Sequence, residues 1–228
     1  MLASVREDWL ENAIGELSAD ARVAGVGLVG SLGRGDADDW SDIDVLVVVN
    51  DEHFDKFIDP AANALWRDAE LFFDARQNAP RGATSVGALY LKSGLPVGVD
   101  WYLYPASMAA WPSDSRVAYE RAGVRQTELV FAEFNAQGAR QSGTRKSAGE
   151  VREAKLVMAL IAGKLIARRS PSATPMIEFL AGTSQSFSDA QAALHALGSI
   201  VDRLSTDAPP QLVEAIESYL AIVESVLV

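Results

Sequence analysis

Apolar positions in the first fifty residues follow a helical period and then a strand period. Residues 4–20 carry a helical stripe of Val5, Trp9, Leu10, Ile14 and Leu17. This spacing predicts an amphipathic helix with Ser4 as its N-cap. Two runs of apolar, mostly β-branched residues follow at 23–29 and 43–49. Each run predicts a buried strand.

Weaker patterns occupy the next sixty residues. Asn50-Asp51 precedes a helical pattern over roughly 52–76, which we expect to be interrupted at Pro60 because proline cannot continue a helix. Apolar runs at 84–92 and 97–104 are strand-like. They are joined by Ser93-Gly94-Leu95-Pro96, a sequence that favours a hairpin.

Helical patterns dominate after Pro105, and we place a domain boundary near residues 105–115. The predicted helices cover 115–135, 147–169, 174–181, 187–204 and 210–227. Within the second of these, residues 156–162 are apolar on every side, as expected for the central helix of a bundle. The prediction is therefore a first domain over 1–108 and a helical domain over 109–228.

Composition limits the possible classes of protein. There is no cysteine and there are only two histidines, His53 and His195, so a metal ion must be held by oxygen ligands. We read both histidines as structural. No apolar run approaches the roughly 20 residues that a membrane span needs. We therefore expect a cytoplasmic protein that does not enter a membrane.

The net charge of −11 is unevenly distributed. Residues 1–104 hold 8 Lys and Arg against 18 Asp and Glu, whereas residues 105–228 hold 12 against 13. An acidic surface repels a long polyanion, so a nucleic-acid partner is disfavoured and a small acceptor is favoured. The exception is the segment 140–169, with eight basic and two acidic residues. Its Lys155 and Lys164 are half a helical turn out of phase, so at most one is expected to contact a triphosphate.

The segment between the first two predicted strands carries the chemistry. Gly30 allows a close backbone approach to a phosphate, and Ser31 offers an amide and a hydroxyl. Asp42 and Asp44 are two residues apart and, on a strand, would project to the same side. Two neighbouring carboxylates repel each other unless a cation lies between them. This arrangement indicates Mg²⁺-assisted chemistry on a nucleoside triphosphate.

A third carboxylate is expected on a later strand. Asp100 is the only acidic residue between Asp74 and Asp114, and it lies in the apolar run 97–104. An unpaired carboxylate there is unfavourable, so a cation or a hydrogen-bond partner is expected. The alternative is a strand-end aspartate paired with an arginine. Alternation places two tyrosines on the same face, Tyr102 and Tyr104, which are more often core or cleft-wall residues than a base platform.

Other residues near the motif have two interpretations each. Arg34 either reaches the β- or γ-phosphate or forms a surface ion pair with the acidic loop. Ser41 either caps the entry to the second strand or binds a phosphate oxygen. The three aspartates of the loop, Asp36, Asp38 and Asp39, are expected to be solvated, and Trp40 is expected to pack.

The segment GSLGRGDADDWSDIDVLVVV resembles the signature of the DNA polymerase β-type nucleotidyltransferase superfamily. It is most similar to bacterial antibiotic nucleotidyltransferases that act on aminoglycosides or lincosamides. The resemblance implies an α/β (α+β) catalytic domain with a mixed sheet, followed by an all-α helical bundle. It also implies that Gly30 and Ser31 bind the triphosphate. Asp42, Asp44 and Asp100 would hold Mg²⁺, expected as two ions, and Asp100 is a possible general base.

The resulting expectation is an enzyme that transfers a nucleoside monophosphate, AMP from ATP, to a hydroxyl of a small molecule. The nucleotide-binding set is Gly30, Ser31, Arg34, Ser41, Lys155 and Lys164. An alternative is a nucleotide-binding regulatory or antitoxin-like module with little turnover. A third interpretation, modification of a protein or of a nucleic-acid end, is disfavoured by the acidic surface.

Overall fold

The N-terminal helix follows the predicted apolar stripe. A computed structural model describes residues 1–59, 68–121, 123–143 and 147–227. Helix α1 spans Leu2–Ala19 and buries Leu10, Ala13 and Leu17 on one face. The predicted N-cap is wrong, because the helix begins two residues before Ser4 and has no side-chain cap. Water can satisfy the first helical amides in place of a side-chain cap.

The two apolar runs form strands, as predicted. β1 covers Val23–Leu28 and β2 covers Ile43–Val49, and the two strands pair in antiparallel fashion. Between them lies the short helix α2, Gly30–Arg34. It ends at Gly35, whose φ of 77° is in the left-handed region that favours glycine.

The helix predicted over 52–76 is wrong at its C-terminal end. A 3-10 turn leads into the four-residue helix α3, Phe54–Phe57. Residues 60–67, which include the predicted interruption at Pro60, lie outside the described residues. The end of the predicted helix is strand β3, Leu71–Asp74, which pairs with the next strand of the sheet. Strand pairing here overrides the local helical pattern. Short 3-10 turns cover Asp51–His53, Arg76–Asn78 and Ser205–Asp207.

The predicted hairpin is confirmed. β4 spans Thr84–Lys92 and β5 spans Leu95–Pro105. The turn between them is shorter than predicted and consists of Ser93 and Gly94, with φ of 54° and 74°. Positive φ at both positions is typical of the two-residue turns that match strand twist.

The helix predicted over 115–135 is wrong. The chain instead forms strand β6, Arg116–Glu120, and helix α4, Phe131–Ala136. Four of the five β6 residues are exposed, so the strand lacks the buried alternation by which strands are recognised. β6 is an edge strand that pairs with β1.

The six strands form one mixed sheet in the order β3-β4-β5-β2-β1-β6. β2 and β5 run parallel, whereas the pairs β1/β2, β1/β6 and β3/β4 are antiparallel. A helical segment follows the sheet. The predicted fold class, a mixed α/β domain followed by helices, is therefore confirmed.

The sheet buries both of its faces. Val45, Val47 and Trp101 lie on one face, in a core shared with α1. On the opposite face Leu46, Val48, Tyr104 and Trp111 belong to a second core.

The C-terminal helices agree with four of the five predicted. They are α5 Ala148–Ala167, α6 Ala173–Ala181, α7 Ala190–Leu204 and α8 Pro210–Ser225. α5 begins with a capping box formed by Ser147 and Glu150. It contacts α6, α7 and α8, as predicted for the central helix. Of the described helices, none combines the length and apolarity that a bilayer crossing requires.

The chain forms two compact units. The first consists of Met1–Tyr90 and Val97–Thr144, and the second consists of Leu91–Pro96 and Arg145–Val228. We expected domains over 1–108 and 109–228. Residues 109–143 fall in the first unit because β6 pairs with β1 and the fully buried Trp111 belongs to a sheet-face core.

Candidate functional site

Two of the predicted carboxylates are neighbours in the sheet. Asp44 on β2 and Asp100 on β5 are directly opposite each other in the parallel register. Adjacent strands lie about 4.8 Å apart, so the two Cα atoms are close and both side chains project to the same face. Both residues are half-buried. The fold thus brings together two acidic side chains from separate apolar strands.

Gly30 leaves the Asp44 carboxylate uncovered. Its φ is 61°, and a Cβ atom placed there would collide with Asp44 Oδ2 and lie 3.0 Å from Cγ. Any other residue would therefore be strained and would push against the carboxylate. The Val29 amide also donates to the Asp44 carbonyl at 3.0 Å, so the turn and the strand are joined directly.

Gly87 lies beside Asp100, as Gly30 lies beside Asp44. It is not among the residues predicted from the sequence. A Cβ atom on Gly87 of β4 would lie 3.5 Å from Asp100 Oδ1. A glycine inside a predicted strand is a signal of close approach by another group. That signal could have found Gly87 from the sequence. Both in-register carboxylates therefore have a glycine next to them.

Tyr102 lies within the field of both carboxylates. Burial raises the pKa of the Tyr102 phenol above its ordinary value, and the charges of Asp100 and Asp44 raise it further. The hydroxyl therefore remains protonated at physiological pH and can act as a donor. Its ring packs edge-on against Phe131, with centroids 4.7 Å apart. Tyr104 is a core residue whose hydroxyl donates to Asn135 Oδ1 at 2.8 Å.

Asp42 lies one residue before β2 and is exposed. It follows a tight turn closed by Asp38 and Ser41. The Ser41 hydroxyl donates to Asp38 Oδ1 at 2.8 Å and accepts from the Asp38 amide at 3.0 Å. The Ser41 side chain is thus hydrogen-bonded within the turn that precedes the second strand, and its contact with a phosphate oxygen stays a prediction.

Arg6 is a buried cation that the sequence analysis missed. It is on α1 and only 7% exposed. Its Nη1 donates to the carbonyls of Asp38 and Ser41, at 2.6 and 3.2 Å. The three residues are brought together only by the tertiary fold, so no local sequence pattern predicts the contact.

Arg34 forms the surface ion pair that was one of its two interpretations. Its Nε lies 3.1 Å from Asp36 Oδ2, and both side chains are exposed. His53 is likewise at the surface, 3.3 Å from Glu52. On α5, in the second unit, the Lys155 ammonium lies 5.9 Å from the centre of the Phe179 ring. A triphosphate contact by Arg34, Lys155 or Lys164 stays a prediction.

The donor set suits a hard divalent cation. Carboxylate oxygens are the ligands that Mg²⁺ prefers, and two of them come from adjacent positions on a rigid sheet. At Gly30, the lack of a side chain avoids a collision with the Asp44 carboxylate. Within the described ranges no group of three or more His, Asp or Glu side chains is already gathered to hold a metal ion. A role for Asp42 as third or bridging ligand stays a prediction.

Part of the sequence matches a known family model. The family model of the nucleotidyltransferase domain matches residues 8–78, which include Gly30, Asp42 and Asp44. No curated protein matches the sequence. A solved structure, a STING-associated CdnE c-di-GMP synthase from Capnocytophaga granulosa, is similar over 98% of this chain and 79% of that chain, with 11% identity and a TM-score of 0.33. The family match over residues 8–78 supports nucleotide transfer as the activity of this part of the chain. The likeness to antibiotic nucleotidyltransferases stays a prediction.

Proposed function

We propose that this nucleotidyltransferase moves AMP from ATP to a hydroxyl group of a small molecule and releases pyrophosphate. The observation that supports the proposal is the in-register pair Asp44 and Asp100, each with a glycine beside it. This pair places two carboxylates side by side on one face of the sheet. The net charge of −11 favours a small, cationic acceptor over a polyanion.

In this reaction the residues of the chain have three roles: they bind the triphosphate, accept a proton and donate a hydrogen bond. Gly30 and Ser31 hold the triphosphate. Asp100 accepts the proton of the acceptor hydroxyl as its oxygen bonds to the α-phosphorus and the bond to the pyrophosphate oxygen breaks. Tyr102, kept protonated by burial and by the carboxylates, donates a hydrogen bond within the site.

Asp42, Asp44 and Asp100 would hold Mg²⁺. When bound, the ion supplies neutralisation of charge on the phosphate oxygens. These carboxylates would hold the ion against the sheet. Aminoglycosides and lincosamides are the acceptor classes that we propose first, because their hydroxyl-rich and cationic character suits an acidic surface.

The test uses labelled ATP, GTP, CTP and UTP with Mg²⁺ and a panel of these antibiotics, with pyrophosphate release as the readout. Asp44→Asn should lower turnover about 100-fold or more, because it removes a negative charge from the position that would hold the cation. Asp39→Asn is the matched control, since it removes the same charge from an exposed position in the preceding loop. It should retain turnover.

Two results would contradict the proposal. One is an Asp42→Asn or Asp44→Asn protein that transfers labelled AMP as well as the parent does. The other is a wild-type protein that binds ATP but releases no pyrophosphate with any acceptor, which would favour the regulatory or antitoxin-like alternative.

A further inference from the structure

The loop that precedes Asp42 is attached to α1 by one buried guanidinium. Arg6 is 7% exposed and donates to two backbone carbonyls, those of Asp38 and Ser41. A buried arginine is unfavourable unless its charge and its donors are satisfied. Its Nε is buried without a hydrogen-bond partner among the residues that the structure describes. The carboxylate of the exposed Glu7 lies 3.8 Å from its Nη2.

The two carbonyls that accept from Arg6 lie at the two ends of the turn that precedes Asp42. The Ser41 carbonyl and the Asp42 amide belong to one planar peptide unit. A donor that fixes this carbonyl also fixes the plane from which the Asp42 backbone continues. The Asp38 carbonyl is at the other end of the turn, and it also accepts from the Ser41 amide at 3.2 Å. Arg6 therefore holds both ends of the segment that leads into β2.

Internal bonds make the segment behave as one body. Asp38 Oδ1 accepts from the Trp40 amide at 3.1 Å and from the Ser41 hydroxyl at 2.8 Å. The turn is therefore closed on itself before it meets the guanidinium. A change at Arg6 is expected to displace the whole turn, and with it Asp42, rather than a single carbonyl.

We propose that Arg6 is a positioning residue, which sets the Asp42 carboxylate for the divalent cation and the nucleotide by holding the carbonyls of Asp38 and Ser41. This inference rests on the proposed function, because it assigns Asp42 a role there. It differs from a purely structural role in one respect. Loss of Arg6 should affect the Mg²⁺-dependent part of nucleotide binding and leave the Mg²⁺-independent part unchanged.

The test compares Arg6→Met, which keeps the length of the stem, with Arg6→Lys and Arg121→Met. Arg121 also donates to two backbone carbonyls of the first unit, those of Ser18 and Asp20, at 2.8 and 3.2 Å. It is therefore a matched control that loses a similar pair of hydrogen bonds at the other end of α1. Binding of a non-hydrolysable ATP analogue is measured by calorimetry with Mg²⁺ and again with EDTA.

Arg6→Met should weaken binding about tenfold to 100-fold with Mg²⁺ and leave binding in EDTA unchanged. Arg6→Lys should recover part of this loss, because lysine keeps a cationic donor while its ammonium lies closer to the backbone than the Nη1 atom that makes both bonds. It also serves as the test if Arg6→Met does not fold. Arg121→Met should bind as the parent does under both conditions.

Hydrogen exchange provides a second readout without any ligand. Amides of residues 36–44 should exchange faster in the Arg6 variants, whereas those of 23–28 should not change. The inference is overturned if exchange over 36–44 is unchanged, if binding falls equally with and without Mg²⁺, or if Arg121→Met has the same effect. A wild-type protein that binds the Mg²⁺ complex but never transfers AMP would contradict the proposed function alone, since the binding measurements need no turnover.

Discussion

A single added Cβ atom decides which residues are tolerated next to Asp44. Gly30 is required twice, once for its positive φ and once because any side chain would meet the carboxylate. Gly35, five positions later, also has a positive φ but has no other group within 4 Å of an added Cβ. A side chain at Gly35 would therefore cause backbone strain alone, whereas a side chain at Gly30 would cause both strain and contact with the Asp44 carboxylate.

Alanine substitutions at these two positions test the distinction. Gly35→Ala should lower the free energy of unfolding by about 1 kcal/mol, since alanine is strained at positive φ. Gly30→Ala should lower it further, because the added methyl group also displaces the Asp44 carboxylate. Only Gly30→Ala should also lose most of its nucleotide transfer. Urea unfolding and pyrophosphate release measure the two effects. Equal loss of activity in both variants would show that the contact with Asp44 is unimportant.

At this scale the sequence revealed part of the site. Gly30, Asp44 and Asp100 were recognisable because glycine at a turn and acids within apolar strands are chemically unusual. Arg6 was not, because its role depends on partners supplied by other elements. Arg6 meets carbonyls 32 and 35 positions away.

Strand β1 shows how one element depends on another. Its sequence VAGVGL contains two glycines, which weaken a strand in isolation. A Cβ atom on Gly25 or Gly27 would come within 2.7 Å of the Trp111 ring. The fully buried indole lies flat on this part of the sheet, and it does so because the glycines leave room for it.

A single methyl group added to β1 beside the Trp111 ring is expected to overpack the core. Gly27→Ala should lower the free energy of unfolding by about 1–3 kcal/mol, because the ring must shift within a closed core. Gly98→Ala is the matched control on β5, where an added Cβ has nothing within 4 Å. It should be neutral or stabilising by up to about 1 kcal/mol. Identical urea midpoints for the two variants would contradict the packing argument.

Elements with strong local patterns were predictable, and those made by pairing were not. β1, β2, β4, β5 and the four C-terminal helices follow from apolar periodicity. β3 and β6 do not, because each is an edge strand: β6 is largely exposed, and β3 is only partly buried. Edge strands carry few of the buried alternating residues from which a strand is recognised.

For the whole chain, the first unit extends past the boundary that the sequence suggested. Residues 109–143 supply β6 and Trp111, which complete the edge and one face of the sheet. A chain ending at 108 would leave β1 as an open edge with its two glycines uncovered. A chain ending at 143 would retain both contributions.

Truncated proteins can distinguish these boundaries. The fragment 1–143 should unfold cooperatively in urea and show the circular dichroism of a mixed α/β protein, whereas 1–108 should aggregate or lack a cooperative transition. Both fragments contain residues 91–96, so this segment does not explain a difference between them. Cooperative unfolding of 1–108 would support the boundary expected from the sequence.

The parallel pairing of β2 with β5 makes Asp100 sensitive to insertions. No tight turn fixes this register, and a shift of one residue moves every side chain of β5 to the other face. Asp100 would then point into the core beside α1, and Trp101 would take its place. A related sequence that needs a one-residue gap within β5 to align an aspartate with Asp100 therefore does not share this pair of carboxylates, however well the remaining strands agree.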